Sequence, residues 1–321
     1  MINSVRQTVM SILNKNNYGY ISPSDFNLFA KQAQLDLFEN YFYQYNYQLM
    51  KENARQSGTG YADIVKGIEE VIDTFSETKP LAKSGGVGNP MYFLPSLITT
   101  NDDYYLINKN LVYNKKLAEG VTTGFAITNN VLEDNTADFI AAGIQTGDAV
   151  GVEILGVTYL LRVVGAITAT TMVLNTNLFT SAGNIYYIYK KNTFKEAEKV
   201  THSKITMLNN SILTAPNLMF PAYTQEALEV EMYPETIDGY GQVVSQYIRF
   251  PFVPKWTFVT LTNGEPSFDP SQPDYQDFEL PNDDEVNLIN KILQYAGMSI
   301  REISAVQFAQ AEGQANNQQE K

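Results

Sequence analysis

The sequence predicts an α+β protein, in which an N-terminal helical unit packs on a mixed β core that carries an inserted small β-barrel or sandwich domain. Three observations support this prediction. Helical periodicity dominates residues 1–78, alternating strand patterns follow, and residues 119–190 change to a composition rich in Val, Ile, Thr and Gly. The chain of 321 residues is long enough for one large domain or two smaller ones, each with a hydrophobic core.

The N-terminal unit consists of three predicted helices. The first is expected at about residues 3–14. The second begins at residues 22–25 (SPSD), where the first serine can cap, proline suits the first helical position and aspartate completes a capping box. It runs to about Lys51, and the third is expected from Tyr61 to Phe75. The second helix has an apolar stripe that repeats every seven residues: Leu28, Leu35, Phe42 and Leu49.

Aromatic side chains surround the C-terminal half of the second helix, where residues 41–50 read YFYQYNYQLM. At 100° per residue, Phe42 lies on the apolar stripe and Tyr47 projects from nearly the opposite side, while Tyr41 and Tyr43 lie on the flanks. Such a helix is either buried on all sides in a single core or packed between partners. The second alternative makes Tyr41, Tyr43 and Tyr47 candidate residues of a subunit interface.

Strand patterns follow Pro80. Residues 84–90 form a glycine-rich loop that lacks the GK[ST] sequence and helix start of a phosphate-binding loop. The stretch QYIRFPFVPKW is strand-like but broken by Pro251 and Pro254, which favours an edge strand or a strand end. The region 196–260 is otherwise expected to form strands with a few turns. Three further stretches predict strands: MYFLPSLI, DYYLINKNLVY and EALEVEMYP.

Residues 119–190 have the pattern of an inserted module. Short, closely spaced alternating runs separated by Gly and Asn predict a small β-barrel or sandwich, and the local pattern GD-x-V-x-V resembles SH3-like barrels. The predicted division is therefore a core of residues 1–118 plus 191–308, the inserted domain, and a polar, Gln-rich flexible tail at 309–321.

The last predicted helix begins at Asn282, which can cap it, and is followed by three acidic residues that favour the helix dipole. Gly297 is the expected C-cap. The expected buried face consists of Val286, Ile289, Leu293 and Ala296.

The composition argues against most catalytic and metal sites. The chain has no cysteine, which excludes disulfides, thiolate nucleophiles and Cys-based metal sites. The single histidine, His202, has no nucleophile-elbow pattern nearby, so a structural or exposed role is favoured. Adjacent Asp102 and Asp103 fit a turn better than a catalytic pair. We therefore predict that the protein is not an enzyme and has no cofactor.

An acidic run is the best candidate for a metal site, since oxygen ligands can hold Ca²⁺. Its spacing does not match an EF-hand, and the last three residues are explained by the helix start. No metal is therefore predicted. The run consists of Asp269, Asp274, Asp277, Glu279, Asp283, Asp284 and Glu285.

Trp256 is the only tryptophan. A platform for stacking a sugar is conceivable, but a core residue or an anchor between subunits is the commoner role. Trp256 is therefore the fourth candidate interface residue.

Net charge is −13, and residues 265–321 contribute most of it, with 11 acidic and 3 basic side chains. No cluster of Lys and Arg suited to wrapping nucleic acid is visible, and an acidic surface would repel DNA. No apolar stretch of 18 residues and no targeting segment is found, so no membrane span is expected.

Four stretches together resemble a known family. They lie at residues 18–42 (YGYISPSDFNLFAKQAQLDLFENYF), 209–221 (NNSILTAPNLMFP), 247–256 (YIRFPFVPKW) and 278–302 (FELPNDDEVNLINKILQYAGMSIRE). They resemble a virion structural protein of crAss-like tailed bacteriophages, of the ring type that builds the head-to-tail connector and short tail barrel. The resemblance covers the N-terminal helices and most of the region after residue 191, but neither the insert nor the C-terminal tail.

The resemblance implies a protein of the virion tail or neck, assembled in the host bacterial cytoplasm into a homo-oligomeric ring, a dodecamer. Its expected partners are the portal protein and neighbouring tail ring proteins, with DNA only as passing cargo. A head-to-tail ring needs two different complementary surfaces on each chain, which the aromatic helix and the polar tail could supply. The insert would project outward as a decoration or grip a neighbouring ring.

Two other functions stay open at the level of sequence. A surface adhesin or carbohydrate-binding decoration protein would use Trp256, exposed tyrosines and Ca²⁺. A hydrolase would use a pair of carboxylates, but no spaced Asp/Glu motif stands out.

Overall fold

A computed structural model describes residues 1–14, 21–54, 62–86, 88–125, 130–179, 181–262 and 264–300. These residues combine helices with two large, curled β-sheets, so the predicted α+β class is confirmed. The helices are α1 (Ile2–Asn14), α2 (Pro23–Ala54), α3 (Ala62–Asp73), α4 (His202–Asn209) and α5 (Glu285–Ile300), the last preceded by a 3₁₀ turn, Asn282–Asp284.

The strands in chain order are β1 (Ser76–Pro80), β2 (Met91–Phe93), β3 (Tyr104–Tyr113), β4 (Lys116–Val121), β5 (Gly124–Phe125), β6 (Val131–Glu133), β7 (Ala149–Ile154), β8 (Val157–Ile167), β9 (Thr171–Leu174), β10 (Ile185–Tyr189), β11 (Phe194–Lys199), β12 (Ala222–Glu226), β13 (Glu229–Tyr233), β14 (Val243–Arg249), β15 (Phe258–Thr260) and β16 (Pro266–Phe268).

The chain forms two compact units. The first combines Met1–Phe75 with Pro251–Lys321, and its described part contains α1, α2, α3, α5 and the β15–β16 hairpin. The second, Ser76–Phe250, contains both large sheets and α4. The predicted insert, 119–190, lies within the second unit, whereas the rest of the predicted core contributes to both units. The division into a core and an inserted domain stays a prediction, and the predicted tail 309–321 lies outside the described residues.

Helix α2 begins as the sequence predicts, but it buries a different face. The Ser22 hydroxyl accepts a bond from the Asp25 amide at 3.2 Å and donates to the Asp25 carboxylate at 2.7 Å, which closes the capping box. The predicted stripe is wrong in the N-terminal half, because Leu28 is exposed. Leu28 lies about 200° around the helix from the buried Phe26 at 100° per residue. The true buried face consists of Phe26, Ala30, Ala33 and Leu37, and its two alanines allow close packing.

The first large sheet has the order β1-β14-β3-β11-β12-β13-β2, and only the β11–β12 pair is parallel. The sheet curls strongly, since the chain after β1 turns to meet the other edge strand, β2. The Phe93 amide donates to the Ala82 carbonyl at 2.7 Å, and the Ser84 amide donates to the Met91 carbonyl at 2.8 Å. Strand β14 lies between β1 and β3, so the edge-strand alternative for QYIRF is wrong. The strand-end alternative fits, because β14 ends at Arg249, before Pro251.

The second large sheet has the order β4-β10-β7-β8-β9-β6-β5 and is built entirely from residues 116–189. Each pair of neighbouring strands in it is antiparallel. Its two edge strands are consecutive in the chain and separated only by residues 122–123, which requires the sheet to curl. It encloses a core of its own, whose largest fully buried side chains include Phe139, Phe179 and Tyr186.

Two helical features differ from the sequence predictions. Helix α4 falls in a region expected to contain strands and turns. It is the crossover between parallel strands β11 and β12, and Thr201 caps it by accepting a bond from the Lys204 amide at 3.4 Å. Gly297 does not end α5, which continues to Ile300. The cost of one helical glycine is only about 1 kcal/mol, so the flanking helix formers prevail.

Candidate functional site

The inner side of the aromatic stretch on α2 packs within the first unit. Phe42 contacts Phe38 edge to face, with ring centroids 5.0 Å apart. The partly buried Tyr41 donates its hydroxyl to the carboxylate of Asp284, at the turn that precedes α5. Tyr41, one of the predicted interface residues, therefore holds α2 to the start of the last helix.

A second tyrosine–carboxylate bond also joins this part of the chain to α2, but here the tyrosine lies on α5 and the carboxylate on α2. Tyr295 of α5 donates its hydroxyl to the Asp36 carboxylate, which also lies 3.5 Å from the Lys291 ammonium. Burial, together with the neighbouring Asp36 carboxylate, raises the pKa of Tyr295 to about 12. Two polar bonds thus join α2 to α5 and to the turn that precedes it.

The outer side of α2 carries four large exposed side chains: Leu28, Tyr43, Tyr47 and Met50. From Leu28, the other three lie within about 100° of rotation, on one side of the helix. Tyr43 is 70% exposed. We call these four residues the outer α2 surface. Of the four predicted interface residues, Tyr43 and Tyr47 belong to it.

The fourth candidate, Trp256, is 2% exposed. Its ring stacks near Phe258 and Phe268, at centroid distances of 5.6 and 5.9 Å, and the Arg6 guanidinium lies 3.8 Å over it. The indole N–H donates to the Asn3 side chain at 3.1 Å. Trp256 is therefore a core residue of the first unit. Its ring is not exposed for contact with another subunit or for stacking a sugar.

Carboxylates of the acidic run accept hydrogen bonds and form ion pairs that stabilise the fold. Asp269 accepts bonds from Ser271 and Gln272, and Asp277 accepts from the backbone amides of Ile2 and Phe278. Asp274 pairs with Lys255. Within the described ranges, no group of three or more His, Cys, Asp or Glu side chains is arranged to hold a metal ion.

The other titratable candidates also have structural partners. The Asp102 carboxylate is buried and accepts bonds from Lys79 at 2.6 Å and Tyr247 at 2.7 Å. Burial raises the pKa of Asp102, but these hydrogen bonds and the one from Thr100 outweigh it, so the pKa lies below the ordinary value of 3.8. Asp103 instead accepts from the Leu97 amide, so the adjacent carboxylates have separate roles.

His202 and one buried lysine complete this group. His202 is exposed on α4, and its Nε2 lies 3.3 Å from the Gln225 carbonyl. The Lys83 ammonium donates to the Asp238 carbonyl and lies 5.5 Å from the centre of the Tyr240 ring. Burial lowers the pKa of Lys83, in opposition to the nearby carboxylates of Asp238 and Glu153. Lys83 was not singled out in the sequence.

The second unit exposes a group of large apolar side chains, close together in the chain, that the sequence patterns did not predict. Residues 207–220 run from the end of α4 to the start of β12 and present five exposed apolar side chains: Met207, Ile212, Leu213, Met219 and Phe220. We call this the apolar segment. Ile212 is 100% and Leu213 is 96% exposed. A signal was present in the sequence, because the 21 residues between Lys204 and Glu226 include no charged side chain.

A shallow groove of about 340 Å³ lies on the first unit, between α2 and the chain before β15. Its apolar lining comes from Leu28, Val253 and Pro254, of which Leu28 and Val253 are exposed. The remaining lining residues are Ser24, Asn27, Lys31, Lys255 and Asp274. The groove therefore adjoins one end of the outer α2 surface.

The chain matches no protein-family model, and it has no significant match among curated proteins. The resemblance to crAss-like phage ring proteins therefore rests on the four sequence stretches. One of them, residues 209–221, falls on the apolar segment. No helix in the described ranges is long and apolar enough to cross a membrane.

Proposed function

We propose that this protein is a non-enzymatic structural protein of a tailed-phage particle and forms an oligomeric ring in the head-to-tail connector below the portal. The observation that carries the proposal is the presence of two unlike exposed apolar surfaces, one on α2 and one at residues 207–220. Exposed apolar patches beyond a few hundred Å² are rare on monomers and mark interaction sites.

Two different surfaces on one chain are what a ring requires. In a closed ring, each copy presents one patch to the copy before it and another patch to the copy after it. A symmetric dimer would need only one self-complementary patch. The sequence resemblance gives the same expectation from separate information.

The net charge supports a role as a wall that DNA passes, and it argues against a protein around which DNA wraps. The net charge of −13 favours a channel wall that nucleic acid passes without binding, because like charges repel and basic clusters are needed to hold phosphates. DNA is thus proposed as passing cargo. The portal protein and neighbouring tail rings are the proposed partners.

Mass photometry of the full chain, alone and then with a candidate portal protein, tests the proposal. We expect assemblies of about a dozen copies, formed either alone or on the portal. A persistent monomer in both conditions would contradict the proposal.

A further inference from the structure

The apolar segment is held in one conformation by its own hydrogen bonds. The backbone amides of Thr214 and Ala215 donate to the Ser211 carbonyl, and the Thr214 hydroxyl donates to the Leu208 carbonyl. The Asn217 side chain accepts from the amides of Met219 and Phe220. A preorganised surface loses little conformational entropy on binding, which favours a specific contact.

The exposed area suits a protein interface. The five large side chains are between 53% and 100% exposed. Since a large apolar residue presents on the order of 150 to 200 Å², they offer roughly 600 to 800 Å². That is close to the roughly 800 Å² that each partner buries in a standard stable interface.

The charge of the segment restricts its partner. No charged residue lies between Lys204 and Glu226, so burial of the segment does not remove any charge of its own from water. A surface that binds it must therefore offer apolar area, with charges that are already paired or lie at the rim.

The groove beside Leu28 has these properties. Two of its three charged lining residues, Lys255 and Asp274, pair with each other, and the third, Lys31, is exposed to water. Its apolar wall is held in place at both sides: the Phe252 amide donates to Glu279 at 2.7 Å, and the Trp256 amide donates to Asn27 at 2.8 Å. The groove is therefore preformed in the single chain.

We infer that the apolar segment of one copy docks on the groove beside Leu28 of the next copy, so that neighbouring subunits meet head to tail. The inference rests on the proposed function and names the two surfaces that meet. Ile212 and Leu213 are the central side chains, because they are the most exposed in the segment. In the assembly they cover Leu28 and Val253 of the neighbouring copy and remove these side chains from water.

Cross-linking of cysteine variants tests this pairing, and the absence of native cysteines gives a clean background. Leu213→Cys and Leu28→Cys are made in separate full-length chains, mixed, and treated with a short bis-maleimide. We expect a cross-linked dimer in the mixture and little in either variant alone. Leu155 is 98% exposed on the β7–β8 turn, so Leu155→Cys is the matched control for Leu213→Cys. When mixed with Leu28→Cys, it should give no dimer.

A second measurement compares the assembly of the double variant Ile212→Ser/Leu213→Ser with that of Leu155→Ser by mass photometry. Both variants alter only exposed side chains, so both should fold. We expect the double variant to need at least a tenfold higher concentration to assemble, with no change for Leu155→Ser.

The outcomes separate this inference from the proposed function. If the wild type forms rings and the double variant forms them equally well, the pairing is wrong and the ring proposal stands. If the double variant loses only its binding to the portal, the segment belongs to the portal contact and the inference is overturned. Dimers that depend on the segment but never form rings would support the pairing and contradict the ring. A wild type that never self-associates, either alone or with the portal protein, would overturn both.

Discussion

Gly151 of β7 lies directly against the backbone carbonyl of Tyr240, so that a Cβ atom at Gly151 would fall 1.8 Å from the carbonyl oxygen. The second large sheet therefore meets, backbone to backbone, the turn that leads into β14 of the first sheet. Tyr189 of β10 supports the contact, because its buried hydroxyl donates to the same carbonyl at 3.0 Å. The rest of the contact is a cluster of buried side chains from both sheets, including Tyr113, Ala149, Tyr187 and Val244.

Replacement of Gly151 by alanine should separate or distort the two sheets. The added methyl group meets a backbone atom that cannot rotate away, and we expect a loss of about 3 kcal/mol in the free energy of unfolding. Urea denaturation measures it. Gly86→Ala is the control, since apart from its chain neighbours no atom of the described residues lies within 4 Å of its new Cβ. It should leave the midpoint nearly unchanged. Equal midpoints for the two variants would contradict this close approach.

Tyr189→Ala should destabilise both sheets together. The substitution removes a fully buried ring that stacks against Tyr113 at a centroid distance of 5.1 Å, and we expect a loss of about 3 to 5 kcal/mol. Hydrogen exchange should become faster in strands of both sheets, including β3 and β14 as well as β7 and β10. Faster exchange confined to residues 116–189 would show instead that the second sheet unfolds independently.

Asp102 should make the stability depend on pH in the acid range. Its pKa is depressed in the folded protein, so the carboxylate contributes stability at pH values above 3.8 that is lost as the pH falls through the folded pKa. The stability difference between wild type and Asp102→Asn should therefore shrink as the pH falls from about 5, first through 3.8 and then through the folded pKa. Urea midpoints across this range measure it, with the exposed Glu226→Gln as the control. A difference that does not change with pH would contradict the role of the charge.

Local signals in the sequence predicted the starts of helices and several strands. The capping box at Ser22 and the alternation in EALEVEMYP involve residues close in the chain, so a single sequence displays them. The buried face of α2 was not predicted. Two alanines, which a search for large apolar residues overlooks, form its centre, while Leu28 lies exposed.

The candidate surfaces depended on tertiary information. The sequence indicated that the aromatic stretch has several faces, but only the fold shows that Tyr41 bonds to Asp284 and that Tyr43 reaches solvent. For Trp256 the sequence left open a core residue or an anchor between subunits, and its contacts with Arg6 and Asn3 identify a core residue. Leu213 resembles a core residue in any pattern of hydrophobicity, and its exposure follows from the loop that carries it.

Tyr41 and Tyr43 should respond differently to substitution, although they are two residues apart on α2. Tyr41→Phe removes a hydrogen bond to the Asp284 carboxylate and should lower the stability of the monomer by about 1.5 to 3 kcal/mol. Tyr43→Ser alters an exposed ring and should weaken assembly with little effect on stability. Thermal denaturation and mass photometry of both variants separate the two effects. Loss of monomer stability in Tyr43→Ser, with normal assembly, would remove Tyr43 from the interface.

Electron microscopy of the purified full-length protein, alone and mixed with a candidate portal protein, tests the central claim most directly. The account predicts axial views of closed rings with about a dozen copies around an open channel, alone or seated on the portal. Uniform small particles of the size of one chain in both samples would contradict the claim that this protein builds a ring.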